Sequence, residues 1–102
     1  MKKENMLSDA GNKLATQFKI YDGCITYFES YKSIIAGFNN ETGDVELYNV
    51  PGYSNTMRKY LYQFLWECGR SDLSNRKKLD KAIKAGKVKV FDKSPELWKE
   101  YK

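Results

Sequence analysis

The sequence predicts an α+β fold: an antiparallel sheet of about four to five strands forms a meander, two helices cover one of its faces, and a short helix ends the chain. Three observations favour this class. Short alternating apolar runs separated by turn residues fill the first half of the chain, residues 54–68 carry apolar side chains at helical spacing, and a second helical pattern precedes one more alternating run. The chain has 102 residues, and we expect a single domain over 1–102.

The first predicted hairpin lies near the N-terminus. Residues 1–12 are polar and lack periodicity, so we expect a loose arm there. Residues 16–21 alternate, and Asp22 and Gly23 have the composition of a type I′ hairpin turn. Residues 24–28 are rich in β-branched and aromatic side chains, which predicts the returning strand.

A second hairpin follows, with strands over residues 32–38 and 45–48 and a polar turn over residues 39–44. Side chains alternate between the two faces of a strand, so each strand is expected to bury one face beneath the helices. The side chains expected to share a buried face are Ile34, Ala36 and Phe38 on one strand and Val45 and Leu47 on the next.

The first helix is the most regular pattern in the sequence. Ser54 or Asn55 can cap a helix that runs to about Cys68, and Gly69 has the residue type that commonly follows a helix. Its apolar stripe is the expected cover of the sheet. The stripe consists of Met57, Leu61, Phe64, Leu65 and Cys68.

A second, more polar helix is predicted over residues 75–85, with Ser74 as its cap and Gly86 after its last turn. Residues 87–91 alternate, which predicts a short strand that joins the sheet. Residues 96–101 follow a proline and are expected to add one or two helical turns.

The composition excludes several classes of function. The chain contains no histidine, which removes the commonest general base and the commonest transition-metal ligand, so we expect no catalytic residues, metal or cofactor. Cys24 and Cys68 lack the spacing of a zinc or redox motif, and we expect two reduced, buried thiols. No apolar run is long enough to span a membrane and no secretory signal opens the sequence, so we expect a cytoplasmic protein and no membrane partner.

Asp44 and Glu46 are the acidic pair that most resembles an acid-base or metal site, because they lie two positions apart. The common metal-dependent nuclease motif also requires a lysine two residues beyond Glu46, and none stands there. Asp44 falls in a predicted turn, where aspartate is common for other reasons. Nuclease activity is therefore not expected.

Positive charge is concentrated in residues 70–93, which we call the basic segment. It contains nine cations against three anions, whereas the whole chain has a net charge of +5. On a helix, Lys77, Lys81 and Lys84 fall within about 60° of one another, opposite the apolar side. These lysines either keep the protein in solution or contact an anionic partner. The residues predicted to contact the anion are Arg76, Lys77, Lys81, Lys84, Lys87 and Lys89.

The first helix carries a second candidate surface. Tyr62 and Trp66 lie one turn apart, about 100° or more from the centre of the apolar stripe, and Arg58 and Lys59 flank them. An exposed Trp66 would serve for base stacking or as an anchor in a protein interface. The alternative is that Trp66 is buried beneath the second helix or the C-terminal segment.

Residues 27–65 contain a Phe-x-Ser-Tyr strand, a hairpin and a helix that begins with Tyr-Ser. The positions concerned are Phe28, Ser30, Tyr31, Ile35, Ala36, Tyr53, Ser54, Lys59, Leu61, Phe64 and Leu65. This pattern resembles a group of small uncharacterised proteins encoded by phages and mobile elements of Gram-positive bacteria. The resemblance implies a context, since such proteins are often stoichiometric inhibitors of host defence, including anti-CRISPR proteins. Many of those inhibitors are acidic mimics of DNA, whereas this chain is basic.

Three hypotheses for function follow. The first is a non-enzymatic protein that binds nucleic acid or a host nucleoprotein, such as a CRISPR effector, through the basic segment. The second is a protein–protein inhibitor that uses Tyr62 and Trp66 as anchors. The third is an oligomer, for example a dimer, whose lysines sequester a small anionic ligand such as a nucleotide.

Overall fold

The structure is a computed structural model and describes residues 2–95. Over these residues it contains six β-strands, two α-helices and two short 3₁₀ helices. In chain order they are β1 (Lys2–Leu7), β2 (Lys13–Asp22), β3 (Ile25–Ser30), β4 (Ser33–Asn39), β5 (Val45–Tyr48), a first 3₁₀ helix (Val50–Gly52), α1 (Asn55–Glu67), a second 3₁₀ helix (Ser71–Leu73), α2 (Arg76–Lys84) and β6 (Lys89–Phe91). The helix predicted over 96–101 lies outside the described residues.

The six strands of the described chain form one sheet in chain order. The first five strands pair with their neighbours in antiparallel fashion, whereas β6 pairs with β5 in parallel, with Leu47 opposite Val90. The last pairing is parallel because the chain passes through both helices between β5 and β6 and returns to the same end of the sheet. The predicted α+β fold, a meander with two covering helices, is confirmed.

The loose arm predicted over residues 1–12 is wrong, because β1 occupies half of it. β1 is an edge strand that pairs with β2, Asn5 standing opposite Phe18. Met6 is 2% exposed and anchors the strand in the core. The pairing register shifts between Asn5 and Leu7, which breaks the alternation by which a strand is recognised in sequence.

Both helices pack on one face of the sheet. Phe28, Ala36 and Leu47 lie in one row across β3, β4 and β5 and are fully buried. Phe28 stacks on Phe64 of α1, with ring centroids 5.5 Å apart. Val45 shares this face with Leu47, as predicted. The helices contribute Leu61, Phe64, Leu65, Leu79 and Ala82 to the same buried cluster.

β4 does not keep the predicted alternation. Phe28 pairs with Ala36 and Glu29 with Ile34, so Ile35 is an extra residue that forms a β-bulge. The bulge places Ile35 in the helix-facing core and Ile34 in a second apolar cluster on the opposite face. The prediction that Ile34 shares a face with Ala36 is therefore wrong. The second cluster consists of Ile20, Ile34 and Tyr48, with Tyr27 packed against it.

The first hairpin turns one residue later than predicted. Asp22 still pairs with Ile25, so the turn residues are Gly23 and Cys24. Gly23 has a φ of +60°, the value that the first central position of a type II′ turn requires. The chain therefore uses the same glycine in a different turn.

The caps of the two helices are built from side-chain oxygens. The Ser54 hydroxyl accepts a hydrogen bond from the Met57 amide at 3.1 Å, which confirms the predicted cap of α1. α2 is capped by Asn75 instead of Ser74, and the Asn75 side chain accepts a hydrogen bond from the Lys78 amide at 2.9 Å. Asparagine and serine are about equally good caps, so sequence alone does not choose between adjacent candidates.

Both cysteines are free thiols. Cys24 is exposed in the first hairpin turn, so the prediction that both thiols are buried is wrong. Cys68 is half-buried after the last residue of α1, and burial raises the pKa of its thiol to about 11. Its thiol is therefore largely protonated at neutral pH.

Candidate functional site

α2 presents lysines on the side that faces away from the core. Leu79 and Ala82 are buried in the cluster beneath α2. Lys77, Lys81 and Lys84 are exposed. A short helix with one buried side exposes the opposite side, and the sequence places lysines at those positions.

The carboxylates of the described chain neutralise few of these cations. Arg76 forms a loose ion pair within α2, with 3.9 Å between its Nε and Oδ2 of Asp80. Five exposed lysines on and just after α2 form no ion pair with another residue in the range 2–95, and we call them the basic face. They are Lys77, Lys78, Lys81, Lys84 and Lys87.

Lys89 lies apart from the basic face. It pairs with Glu46 across β6 and β5, in a row that continues to Gly37 and Tyr27. Residues in one row point to the same side of a sheet, and Tyr27 packs against the cluster on the side opposite the helices. The structure therefore does not bring Lys89 together with the lysines of α2.

A cavity of about 250 Å³ opens between the second 3₁₀ helix and α2. Four cations line it, namely Arg70, Lys78, Lys81 and Lys87, and we call this group the cation pocket. The other lining residues are Asp72, Leu73, Ala82 and Ala85. Two of the four cations belong to the predicted anion-contacting set, and the other two, Arg70 and Lys78, were missed although they lie in the basic segment.

Arg70 is held in place by three hydrogen bonds. Its Nε and Nη2 donate to the two carboxylate oxygens of Asp72 at 3.0 Å each, and its Nη1 donates to the Gly43 carbonyl at 2.6 Å. The hydrogen bonds from Arg70 hold the pKa of the Asp72 carboxyl below its ordinary value, so this carboxyl is ionised at neutral pH. One wall of the cation pocket is thereby fixed to the turn between β4 and β5.

The residues proposed on α1 do not form one exposed patch. Trp66 is 64% exposed, so the alternative that it is buried is wrong. Tyr62 is half-buried and packs against the core, and the Arg58 guanidinium lies over the Tyr53 ring, 5.8 Å from its centroid. Lys59 is exposed. Of the two aromatic anchors proposed, only Trp66 presents most of its side chain to solvent.

Asp44 and Glu46 line a smaller cavity of about 130 Å³ together with Lys89. The pairing of β6 with β5 places Lys89 beside Glu46. Glu46 thus has a neighbouring lysine in space, although no lysine stands two residues after it in the sequence. The Tyr48 hydroxyl donates to Oε1 of Glu46 at 2.9 Å. In residues 2–95 no three or more His, Cys, Asp or Glu side chains are grouped so that they could hold a metal ion. Its two carboxylates outnumber its one lysine, so we assign no anion contact to this cavity.

The fold and the site define a small α+β protein in which one of two sheet-covering helices carries the basic face. The chain belongs to the family of unknown function DUF8033, whose profile matches residues 1–81. No curated protein and no solved structure matches the chain. The matched range includes Arg70, Lys78 and Lys81 and ends before Lys84 and Lys87. Within the described residues, no helix has the length and apolar character that crossing a membrane requires.

Proposed function

We propose that this protein is a non-enzymatic binding protein that contacts nucleic acid, alone or within a nucleoprotein, through the basic face. One observation supports the proposal: α2 exposes lysines that form no ion pair with a carboxylate of residues 2–95. Lysines that only keep a protein in solution are usually interleaved with acids. The one acid within α2 is Asp80, which pairs with Arg76.

The dimensions of α2 suit a phosphate backbone. The helix has nine residues, and at about 1.5 Å per residue it is about 14 Å long. Each strand of duplex DNA carries one phosphate for about every 3.4 Å of helix axis. The basic face can therefore contact several phosphates at once. Contacts to phosphates carry little sequence information, so we expect binding with little sequence preference.

The resemblance to phage and mobile-element proteins supports a more specific form of the proposal. In that form the nucleic acid belongs to a host defence complex such as a CRISPR effector, and the protein inhibits the complex by occupying its surface. The positive charge of the basic face disfavours mimicry of DNA and favours contact with a guide or target strand.

Affinity for a labelled DNA or RNA oligonucleotide should fall steeply as salt is added. If the basic face neutralises about five phosphates, the slope of log K against log salt is about −4.5, and affinity falls about 500-fold between 50 and 200 mM salt. Fluorescence anisotropy titrations across this range measure the slope. Isotherms that do not move with salt would reject the proposal.

Two triple variants with equal loss of charge provide the control. Lys77→Gln/Lys81→Gln/Lys84→Gln changes the basic face, and Lys2→Gln/Lys13→Gln/Lys32→Gln changes exposed lysines on β1, β2 and the β3–β4 turn. We expect the first variant to reduce the slope by about 2.7 and the second to leave it nearly unchanged. Equal effects of the two variants would show that net charge alone drives binding, which contradicts a defined basic face.

Trp66 supports a second candidate function, which is docking on another protein. Exposed tryptophan is enriched among residues that dominate protein interfaces. If Trp66 anchors such an interface, Trp66→Ala costs at least about 2 kcal/mol of binding free energy, whereas Lys84→Gln costs much less because a rim lysine mainly steers association. Calorimetry with the captured partner measures both values. A partner that binds the Trp66→Ala variant as tightly as the wild type contradicts this candidate.

A further inference from the structure

The cation pocket differs from the rest of the basic face in being concave. Lys77 and Lys84 are exposed on the outer side of α2, whereas the lysines at 78, 81 and 87 converge with Arg70 around one cavity. Four cations and one anion, Asp72, line the cation pocket, so positive charge is in excess there. A cleft with a large excess of one sign of charge focuses the electric field and attracts counter-ions more strongly than a convex surface does. An anion is therefore expected to prefer the cation pocket to the outer row of lysines.

Arg70 is held in one orientation and still has N–H donors to spare. A guanidinium has five N–H donors, and Asp72 and Gly43 take three of those of Arg70. Two N–H groups are left without a partner among the described residues. The three existing bonds also restrict the side chain, so little conformational entropy is lost when an anion binds.

The lining and the volume of the cavity limit what enters it. Leu73, Ala82 and Ala85 form the apolar part of the cavity wall. The two alanine side chains are small and do not fill the cavity. The cavity has a volume of about 250 Å³. Pockets for whole small molecules usually begin at about 300 Å³. A cavity of this size can hold one phosphate group and part of the sugar or other group to which the phosphate is bonded.

We propose that the cation pocket is a binding site for a single phosphate group. This inference rests on the proposed function and deepens it, because it assigns the tightest phosphate contact to the cation pocket and the weaker, neighbouring contacts to Lys77 and Lys84. The phosphate can belong to a nucleic-acid backbone or to a free phosphorylated molecule. The same donors recognise both.

Two double variants test the site. They are a matched pair, because each removes two positive charges from the same short stretch of chain. Lys78→Gln/Lys87→Gln changes the cation pocket, and Lys77→Gln/Lys84→Gln changes the outer row. We expect the pocket variant to lose at least about tenfold more affinity for a short oligonucleotide than the outer variant, because convergent contacts bind one phosphate more strongly than dispersed ones. Equal losses would overturn the inference. Arg70 stays unchanged, since its bonds also support the β4–β5 turn.

A third variant fills the cation pocket without changing its charge. Ala85 is exposed and follows the last residue of α2, so Ala85→Leu should leave the fold intact. We expect the longer side chain to occupy the cavity and to weaken oligonucleotide binding about tenfold or more, with an unchanged thermal midpoint by circular dichroism. Wild-type affinity in a folded Ala85→Leu variant would overturn the inference.

Titration with inorganic phosphate, followed by NMR of the protein amides, separates the two sources of phosphate. Shifts near α2 that disappear in Lys78→Gln/Lys87→Gln support a pocket that accepts free phosphate. A pocket-specific loss of oligonucleotide affinity without phosphate shifts supports a pocket for backbone phosphate. If the wild type binds no oligonucleotide, the proposed function fails, and the phosphate titration alone then supports or overturns the cation pocket.

Discussion

Phe64→Ala is expected to lower the free energy of unfolding by about 3–5 kcal/mol. Phe64 is fully buried, and its ring stacks on Phe28 where α1 meets the sheet. Removing the ring loses the free energy gained by transferring a large apolar side chain from water to the core. It also leaves a cavity that the surrounding side chains fill only in part. Small domains have a total stability of about 5–15 kcal/mol, so much of it is lost. Urea denaturation followed by circular dichroism measures the change.

Phe91→Ala is the matched control, because it removes the same side chain from β6. Phe91 is 43% exposed, and its ring centroid lies 5.8 Å from that of Tyr48. We expect this variant to lose less than half as much stability as Phe64→Ala, since less apolar area leaves the interior. A Phe64→Ala variant with the wild-type midpoint would contradict the packing of α1 on the sheet.

Tyr53→Phe is expected to cost about 1–3 kcal/mol. The Tyr53 hydroxyl donates to the Ile35 carbonyl at 2.6 Å and accepts from the Tyr48 amide at 3.2 Å, so it joins β4 to β5. Phenylalanine keeps the ring but leaves both backbone groups without this partner. Burial raises the pKa of the Tyr53 phenol above its ordinary value, as expected for a hydroxyl removed from water.

Tyr31→Phe is the control for the loss of a hydroxyl at an exposed position. Tyr31 is 52% exposed at the tip of the β3–β4 hairpin. We expect this variant to change stability by no more than about 0.5 kcal/mol in the same urea titration. Indistinguishable midpoints for the two tyrosine variants would show that the hydrogen bonds of Tyr53 contribute nothing to stability.

Regular elements of this fold were predictable because their information is local. The stripe of α1 and its cap at Ser54 lie within one short stretch of sequence, and the structure has both. The bulge at Ile35 and the register shift after Asn5 depend on pairing between segments that are distant in sequence. Strands are recognised in sequence by apolar residues at every second position, and the bulge and the register shift each interrupt that alternation. The alternation therefore cannot reveal either irregularity.

Most of the residues that carry the resemblance to phage and mobile-element proteins have structural roles, although Tyr31 and Lys59 are exposed. Phe28 and Phe64 stack in the core, Tyr53 joins two strands, and Ser54 caps α1. Ser30 is buried at the end of β3. Each of these roles is structural, so we expect the pattern to mark the fold and not a binding or catalytic residue.

The candidate site was predictable only as a region of charge. The excess of cations in the basic segment is visible in the sequence, and it led to the lysines of α2. The position of Arg70 was not visible, because its orientation depends on Gly43, which is 27 residues away. Lys89 was grouped with α2 because the face to which a strand residue points is fixed only when its partner, here Glu46, is known.

The parallel pairing of β6 with β5 affects which part of the protein unfolds locally first. The chain leaves the sheet at Tyr48 and returns at Lys89, and closing so long a connection costs more chain entropy than closing the hairpins of the meander. A strand of three residues secures that closure. We therefore expect the amides of α2 and β6 to exchange with deuterium sooner than those of the meander. A ligand that bridges Arg70 and Lys87 would tie the segment before α2 to the segment after it and slow this exchange.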